Sequence, residues 1–187
     1  MLKIGILLGS VRPGRNGEAV ARWVYDIAKK RTNVEFELVD LQDFHLPILD
    51  EPIPASAGKY SQPHTRVWAD KIRSFDAYVF VTGEYNHGIP GGLKNAIDFV
   101  YAEWNNKAAG FVSYGSAGGV RAVEQLRLVL AELQVATVRA QVYLSLSTDF
   151  ENFRTFAPAA SKEASLNTML DQVVAWGEAL KPLRKTA

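Results

Sequence analysis

Apolar residues along this chain fall into short, nearly continuous runs that are separated by longer stretches with helical spacing. Five runs predict strands, at residues 2–8, 34–39, 76–82, 107–114 and 138–144. Such unbroken runs are typical of strands buried on both faces of a parallel sheet. The second run alternates as VEFELV, which indicates one wetter face and a place at the edge of the sheet.

Amphipathic stretches follow the strands and predict helices. One begins at Glu18, two more cover residues 64–75 and 91–104, one follows Gly118, and the last carries apolar positions from Leu166 to Leu180. Strands and helices that alternate five times predict an α/β fold. The expected architecture is a flavodoxin-like, doubly wound, five-stranded parallel sheet of order 2-1-3-4-5, in a single domain spanning residues 1–187.

Two features of the pattern bear on whether the protein forms an oligomer. Residues 40–63 hold four prolines and Gly58, which predicts a long loop with a surface or interface role. Trp23 and Trp176 lie on apolar helical stripes and are expected in the core, whereas Trp68 and Trp104 fit either the core or a subunit contact.

Composition narrows the class of protein. The 187 residues carry a net charge of +1 and include no cysteine. The absence of cysteine excludes thiol nucleophiles, iron–sulfur clusters and disulfides, and it favours a reducing, cytoplasmic location. A near-neutral net charge creates no broad positive potential that would attract nucleic acid. The most apolar run is far shorter than the ~20 residues of a membrane span. The three histidines lie in different segments and show no metal-ligand spacing.

Glycine is concentrated in three of the strand-to-helix turns, at residues 9–17, 83–92 and 115–119. A single glycine-rich turn is explained by backbone conformation alone. These three turns, however, follow the first, third and fourth strands, which end at the sheet edge where this architecture binds its ligands. We therefore expect one ligand site built from all three.

The first turn predicts a phosphate site. Ser10, Arg12, Arg15 and Asn16 precede a helix, whose free N–H groups and dipole favour an anion. Taken singly, Arg12 and Arg15 fit the role of ordinary solvated surface arginines equally well. The Lys and Ser or Thr of an NTPase loop are missing, and the fingerprint G-x-G-x-x-G occurs nowhere in the chain. A mononucleotide with a terminal phosphate fits best.

The run EYNHGIPGGLKNAIDF, residues 84–99, resembles the signature of the NADPH-dependent FMN reductase family. These flavodoxin-like flavoproteins include quinone, azo-dye and chromate reductases. The chain departs from the family pattern at two places. In the first turn it has Arg15, Asn16 and Gly17 where the family commonly has a Ser and, further on, an Asn. It also has Gly83 where the family usually has Pro.

The resemblance implies an FMN-dependent oxidoreductase that uses NADPH or NADH and reduces a small acceptor such as a quinone, a flavin, an azo compound or a metal oxyanion. From the residues themselves we expect a homodimer or tetramer, because of the Pro-rich segment 40–63 and of Tyr101 and Trp104 beyond the motif, and no metal, because of the histidine spacing. We also expect no side chain to act as an essential acid or base, because the turns hold no cysteine and His87 as their one histidine. A flavodoxin-like electron carrier and a flavin-binding regulator are the alternatives, although the +1 charge is unlike the strongly acidic surface of a carrier. The implied cofactor-binding residues are Ser10, Arg12, Arg15, Asn16, Gly17, Glu84, Tyr85, Asn86, His87, Gly115, Ser116, Gly118 and Gly119.

Overall fold

The sheet contains five parallel strands and has the expected flavodoxin-like order. In the computed structural model, which describes residues 1–185, the order is β2-β1-β3-β4-β5. The strands are β1 (Leu2–Leu8), β2 (Val34–Asp40), β3 (Ala77–Thr82), β4 (Lys107–Gly115) and β5 (Val135–Ser145). Every neighbouring pair is parallel, and β2 lies at an edge, as its alternating pattern predicts.

Five helices cover the two faces of this sheet. They are α1 (Gly17–Ala28), α2 (Pro63–Arg73), α3 (Gly91–Asp98), α4 (Val120–Glu132) and α5 (Ser161–Leu180). The first and last pack on one face in one apolar cluster, and the other three pack on the opposite face in a second cluster. This arrangement is the doubly wound architecture that the sequence predicts. No helix within residues 1–185 has both the length and the apolar character that crossing a membrane requires.

Two helical segments differ from the sequence-based prediction. The helix predicted over residues 91–104 ends at Asp98, and the chain then turns. The reason is that Phe99, Val100 and Trp104 continue the apolar pattern but are buried within this turn, where the Trp104 indole N–H donates to the carbonyl oxygen of Ile97 at 3.2 Å. The predicted loop at residues 40–63 contains two short 3-10 helices, at Leu41–Phe44 and Ala55–Ala57.

A small antiparallel hairpin follows β5 and was not predicted. Its strands, β6 (Phe150–Glu151) and β7 (Thr155–Phe156), have two residues each, too few to produce a periodic pattern. The hairpin lies between the end of the sheet and α5. It becomes important for the site described below.

The tryptophans correct part of the sequence prediction. Trp68 and Trp104 are fully buried and meet edge to face with 6.3 Å between ring centroids, so neither faces a partner subunit. Trp176 is 46% exposed because it lies at the flank of the buried stripe of α5, and its predicted core position is wrong. Trp23 is partly buried and packs edge to face on Phe156.

Lys107 is a buried lysine at the amino end of β4, at the opposite end of the strands from the glycine-rich turns. Its ammonium group donates to the carbonyl oxygen of Ile72 and to the hydroxyl of Tyr78, each at 2.9 Å, and the residue is only 3% exposed. Burial, helped by the charge of Arg184, lowers the pKa of Lys107 to about 7. The folded protein therefore binds this proton more weakly than the unfolded chain does.

Replacing Lys107 by Met should change the pH dependence of stability. Between the folded pKa of about 7 and the ordinary value of 10.5, the unfolded chain binds more protons than the fold. The free energy of unfolding of the wild type, measured by urea denaturation from pH ~7 to ~9, should therefore rise by up to about 1.4 kcal/mol per pH unit relative to K107M. The exposed Lys59 supplies the control, because K59M should retain the wild-type slope. Parallel curves for wild type and K107M would show that Lys107 stays charged in the fold.

Candidate cofactor site

The three glycine-rich turns meet at the carboxyl ends of β1, β3 and β4. They enclose a cavity of about 230 Å³, to which the end of β5 also contributes. Its lining residues are Arg12, Arg15, Asn16, Gly83, Glu84, Tyr85, Tyr114, Gly115, Ser116 and Leu146. The structure thus brings together the turns that the sequence analysis singled out, at the edge where such sheets bind ligands.

An internal ion pair braces the first turn. The guanidinium of Arg15 donates to the carbonyl oxygen of Ser10 at 2.6 Å and pairs with the carboxylate of Asp40 at the end of β2. The Arg15 side chain is only 8% exposed. Its charge is therefore largely balanced within the chain, and its main effect in this structure is to hold the turn closed.

Arg12 is placed differently from Arg15. It is exposed, its guanidinium lies 5.8 Å from the centroid of the Tyr85 ring, and within residues 1–185 it forms no ion pair with a carboxylate. Helix α1 begins directly after this turn, and the side chain of Asn16 does not cap it. Free N–H groups at the start of a helix, next to an unpaired guanidinium, suit a phosphate group.

Tyr114, the residue before Gly115 in β4, forms the floor of the cavity, and the sequence analysis missed it. A Cβ atom at Gly17 would lie 2.5 Å from the Tyr114 hydroxyl oxygen, and one at Gly83 would lie 3.2 Å from its ring. Gly17 therefore leaves the space that the phenol occupies, whereas a side chain at Gly83 would be in tight contact with the ring. Burial raises the pKa of Tyr114 to about 12, so the hydroxyl stays protonated at neutral pH.

The second turn is a two-residue hairpin loop. The N–H of Tyr85 donates to the carbonyl oxygen of Gly88 at 3.1 Å, and the reverse bond is 3.0 Å. Asn86 and His87 between them have φ values of 48° and 70°, the left-handed pair that this type of loop requires. Their N–H groups make no hydrogen bond to another described residue, and their side chains do not line the cavity.

Tyr85 and Glu84 connect the second turn to its neighbours. The Tyr85 hydroxyl lies 3.3 Å from that of the buried Ser10 in the first turn. The Glu84 carboxylate accepts hydrogen bonds from the side-chain Nε of Arg121 at 2.6 Å and from the backbone N–H groups of Arg121 and Ala122 at the start of α4. Burial is the largest single influence on the pKa of Glu84 and acts to raise it, but the hydrogen bonds from Arg121 and Ala122, together with the charge of Arg121, outweigh it and the pKa lies below its usual value. Glu84 therefore caps α4 as an anion.

The third turn contributes two of its residues to the cavity surface and two to its own shape. Gly115 and the exposed Ser116 line the cavity. Gly118 and Gly119 have left-handed φ values of 68° and 71°, and the carbonyl oxygen of Gly118 accepts a 2.7 Å bond from the Ser113 hydroxyl. The two glycines lie behind the lining and set the direction in which α4 leaves.

The implied cofactor residues thus divide into two groups. Lining residues are Arg12, Arg15, Asn16, Glu84, Tyr85, Gly115 and Ser116, and supporting residues are Ser10, Gly17, Asn86, His87, Gly118 and Gly119. The lining fits FMN, because Arg12, Arg15 and the start of α1 suit a phosphate, while Tyr85, Tyr114 and Leu146 supply apolar surface for a ring. Leu146 follows β5, so the rule that ligands lie beyond strand ends is the signal that finds both it and Tyr114.

Comparison with known proteins agrees with this geometry. The family model described as NADPH-dependent FMN reductase matches residues 2–149. An NAD(P)H-dependent FMN reductase of Nectria sp. is 37% identical over 194 residues, which cover 92% of this chain and 96% of that protein. A quinone reductase of Pseudomonas putida is 34% identical over 140 residues, or 71% of each chain. The structure of the flavoenzyme NAD(P)H:(acceptor) oxidoreductase from Paracoccus denitrificans has a TM-score of 0.73 at 20% identity, covers 96% of this chain and 98% of that one, and supports the fold.

Adding a methyl group at Gly17 should strain the site. We expect G17A to lower the free energy of unfolding, measured with urea, by about 1–3 kcal/mol, as overpacking commonly does. The double variant G17A/Y114F should recover part of this loss, because it removes the hydroxyl oxygen at 2.5 Å but leaves the contact of the new methyl group with Leu8 at 2.8 Å. G91A is a matched control, since a Cβ at Gly91 has nothing within 4 Å. A G17A protein as stable as the wild type would contradict the packing described for Tyr114.

Proposed function

The chain belongs to the NADPH-dependent FMN reductase family, and on this basis we propose that it binds one FMN noncovalently in the cavity and transfers electrons from NADPH or NADH to a small acceptor. It is an enzyme of the NAD(P)H-dependent FMN reductase and quinone reductase kind. Candidate acceptors are quinones, free flavins, azo compounds and metal oxyanions. A quinone has the strongest support, because relatives include quinone reductases.

The phosphate end of the site carries this proposal. Arg12 has no carboxylate partner among the described residues, and it stands beside the free N–H groups at the start of α1. A bound phosphate would supply the missing partner to both. Arg15, already tied to Ser10 and Asp40, would hold the turn in the shape that receives it.

The part of the site lined by Tyr114 and Tyr85 would hold a flat ring. The N–H groups of Asn86 and His87, which follow Tyr85 in the same turn, have no partner among the described residues and would be free to meet a polar ring edge. FMN held there would supply the hydride chemistry that links the nicotinamide to the acceptor in a ping-pong sequence. The residues orient the ring, stabilise negative charge on it with backbone N–H groups, and leave one face open.

We also propose a homodimer, or a tetramer built from dimers. The segment after β2 exposes Ile48, Leu49 and Ile53 at 89%, 44% and 41%, although Asn95 holds it in place through bonds to Leu49 and Pro47. An ordered segment with exposed apolar side chains is typical of a subunit contact. Sedimentation of the purified protein measures this state.

FMN should bind far more tightly than riboflavin. Riboflavin lacks the phosphate, so its affinity should be lower by at least about a hundredfold, as expected when two charge-assisted hydrogen bonds of ~1.5–3 kcal/mol are lost. Titration of the apoprotein, followed by the visible spectrum of the flavin, measures both constants. R12A should weaken FMN and leave riboflavin unchanged, whereas R139A on the exposed edge strand should change neither. Equal affinities for the two flavins would remove the phosphate assignment.

His87 should be dispensable for flavin reduction. We choose His87→Asn because asparagine tolerates the left-handed φ of 70° at this position. With FMN bound, the variant should keep its NADPH-driven reduction rate, measured by stopped flow, within about tenfold of wild type. General acid–base catalysis would instead contribute ~10²–10⁴. A hundredfold fall at full FMN occupancy would identify His87 as a proton donor and contradict the prediction.

A further inference from the structure

The hairpin formed by β6 and β7 is held rigidly beside the first turn. Asn16 donates from its side-chain amide to the carbonyl oxygen of Phe153 at the hairpin tip, at 3.0 Å. The base is fixed by Asp149, which is 1% exposed and accepts hydrogen bonds from the N–H groups of Ser145 and Ala159. Asn152 and Phe153 form the tip with left-handed φ values of 50° and 59°. The hairpin is therefore held by hydrogen bonds at both its tip and its base.

Between this hairpin and the first turn lies a second, outer cavity of about 780 Å³. It is lined by Arg12, Pro13, Gly14, Arg15, Asn16, Ala19, Phe153 and Arg154, and it shares Arg12, Arg15 and Asn16 with the inner cavity. Three arginines thus face one space that no carboxylate lines. A ligand could contact both cavities at once.

The charges of the outer cavity are largely unbalanced. Arg15 is paired with Asp40, but Arg12 and Arg154 form no ion pair with any residue among 1–185. The ring of Phe153, 64% exposed, stands beside Arg154 in the same lining. An uncovered aromatic ring next to the free guanidinium group of Arg154 matches a purine that carries a phosphate monoester, since the base stacks while the phosphate pairs with arginine.

We propose that the outer cavity binds the adenosine 2′-phosphate half of NADPH, with Phe153 stacked on the adenine and Arg154 paired with the 2′-phosphate. The inference rests on the proposed function, which assigns the first turn and the inner cavity to FMN. Arg154 lines only the outer cavity, which separates its role from that of the residues assigned to the FMN phosphate. NADH has no 2′-phosphate, so this site would select NADPH as the electron donor.

Binding of nucleotide fragments to the FMN-loaded protein tests the site without turnover. Calorimetric titration should show that 2′,5′-ADP binds at least about tenfold more tightly than 5′-AMP, which differs from it only in lacking the 2′-phosphate; tenfold is the difference that one charge-assisted hydrogen bond makes. R154A should remove this discrimination and leave FMN affinity unchanged. F153N, chosen because asparagine accepts a left-handed φ, should weaken both fragments. R139A, an exposed arginine on β5 with no ion pair among the described residues, is the matched control and should bind both as the wild type does.

The outcomes separate this inference from the proposed function. Equal binding of the two fragments to wild type, or full discrimination retained in R154A, would overturn it while FMN binding stands. A loss of FMN affinity in R154A would assign Arg154 to the flavin phosphate and overturn it as well. Failure of the wild type to bind FMN would instead overturn the proposed function. Steady-state kinetics should agree, with R154A raising KM for NADPH but not for NADH.

Discussion

One phenol ring, that of Tyr114, determines the shape of the ligand edge of this sheet. It lies between the first and second turns, in space that a side chain at Gly17 would occupy and that a side chain at Gly83 would crowd. A tightly packed site of this kind cannot absorb even one methyl group without displacing its neighbours. The positions of Ser10 and Tyr85, whose hydroxyls lie 3.3 Å apart above this region, follow from the same packing.

The charges of the site are divided between structure and ligand. Arg15 and Glu84 are each satisfied inside the chain, by Asp40 and by the start of α4, and they fix two turns in place. Arg12 and Arg154 have no such partner within the described residues and are left for an anion from solution. A fold that neutralises some cations and exposes others preorganises its site, because a phosphate then binds without first breaking internal ion pairs.

Sequence pattern predicted the sheet order, the edge position of β2 and the three turns, because long apolar runs and clustered glycines record burial and turn geometry directly. The sequence-based prediction failed where one hydrophobic pattern is shared by two kinds of structure. Phe99 and Val100 extend a helical pattern but belong to a buried turn, and Tyr114 resembles any core residue of a strand. It also failed where a partner is distant in the chain. Nothing near Arg15 shows that Asp40 neutralises it, and the two-residue strands of the hairpin leave no pattern at all.

The two-residue turn at Asn86 and His87 limits how sequences of this kind can diverge. Both residues hold left-handed φ values, a conformation that few residue types adopt without strain. A substitution at either position is therefore least strained when it introduces glycine, asparagine or aspartate. Exposed neighbours such as Val11 and Ser116 have negative φ and carry no such backbone restriction. The surface beside the cavity can thus be altered at these neighbours without straining the turn itself.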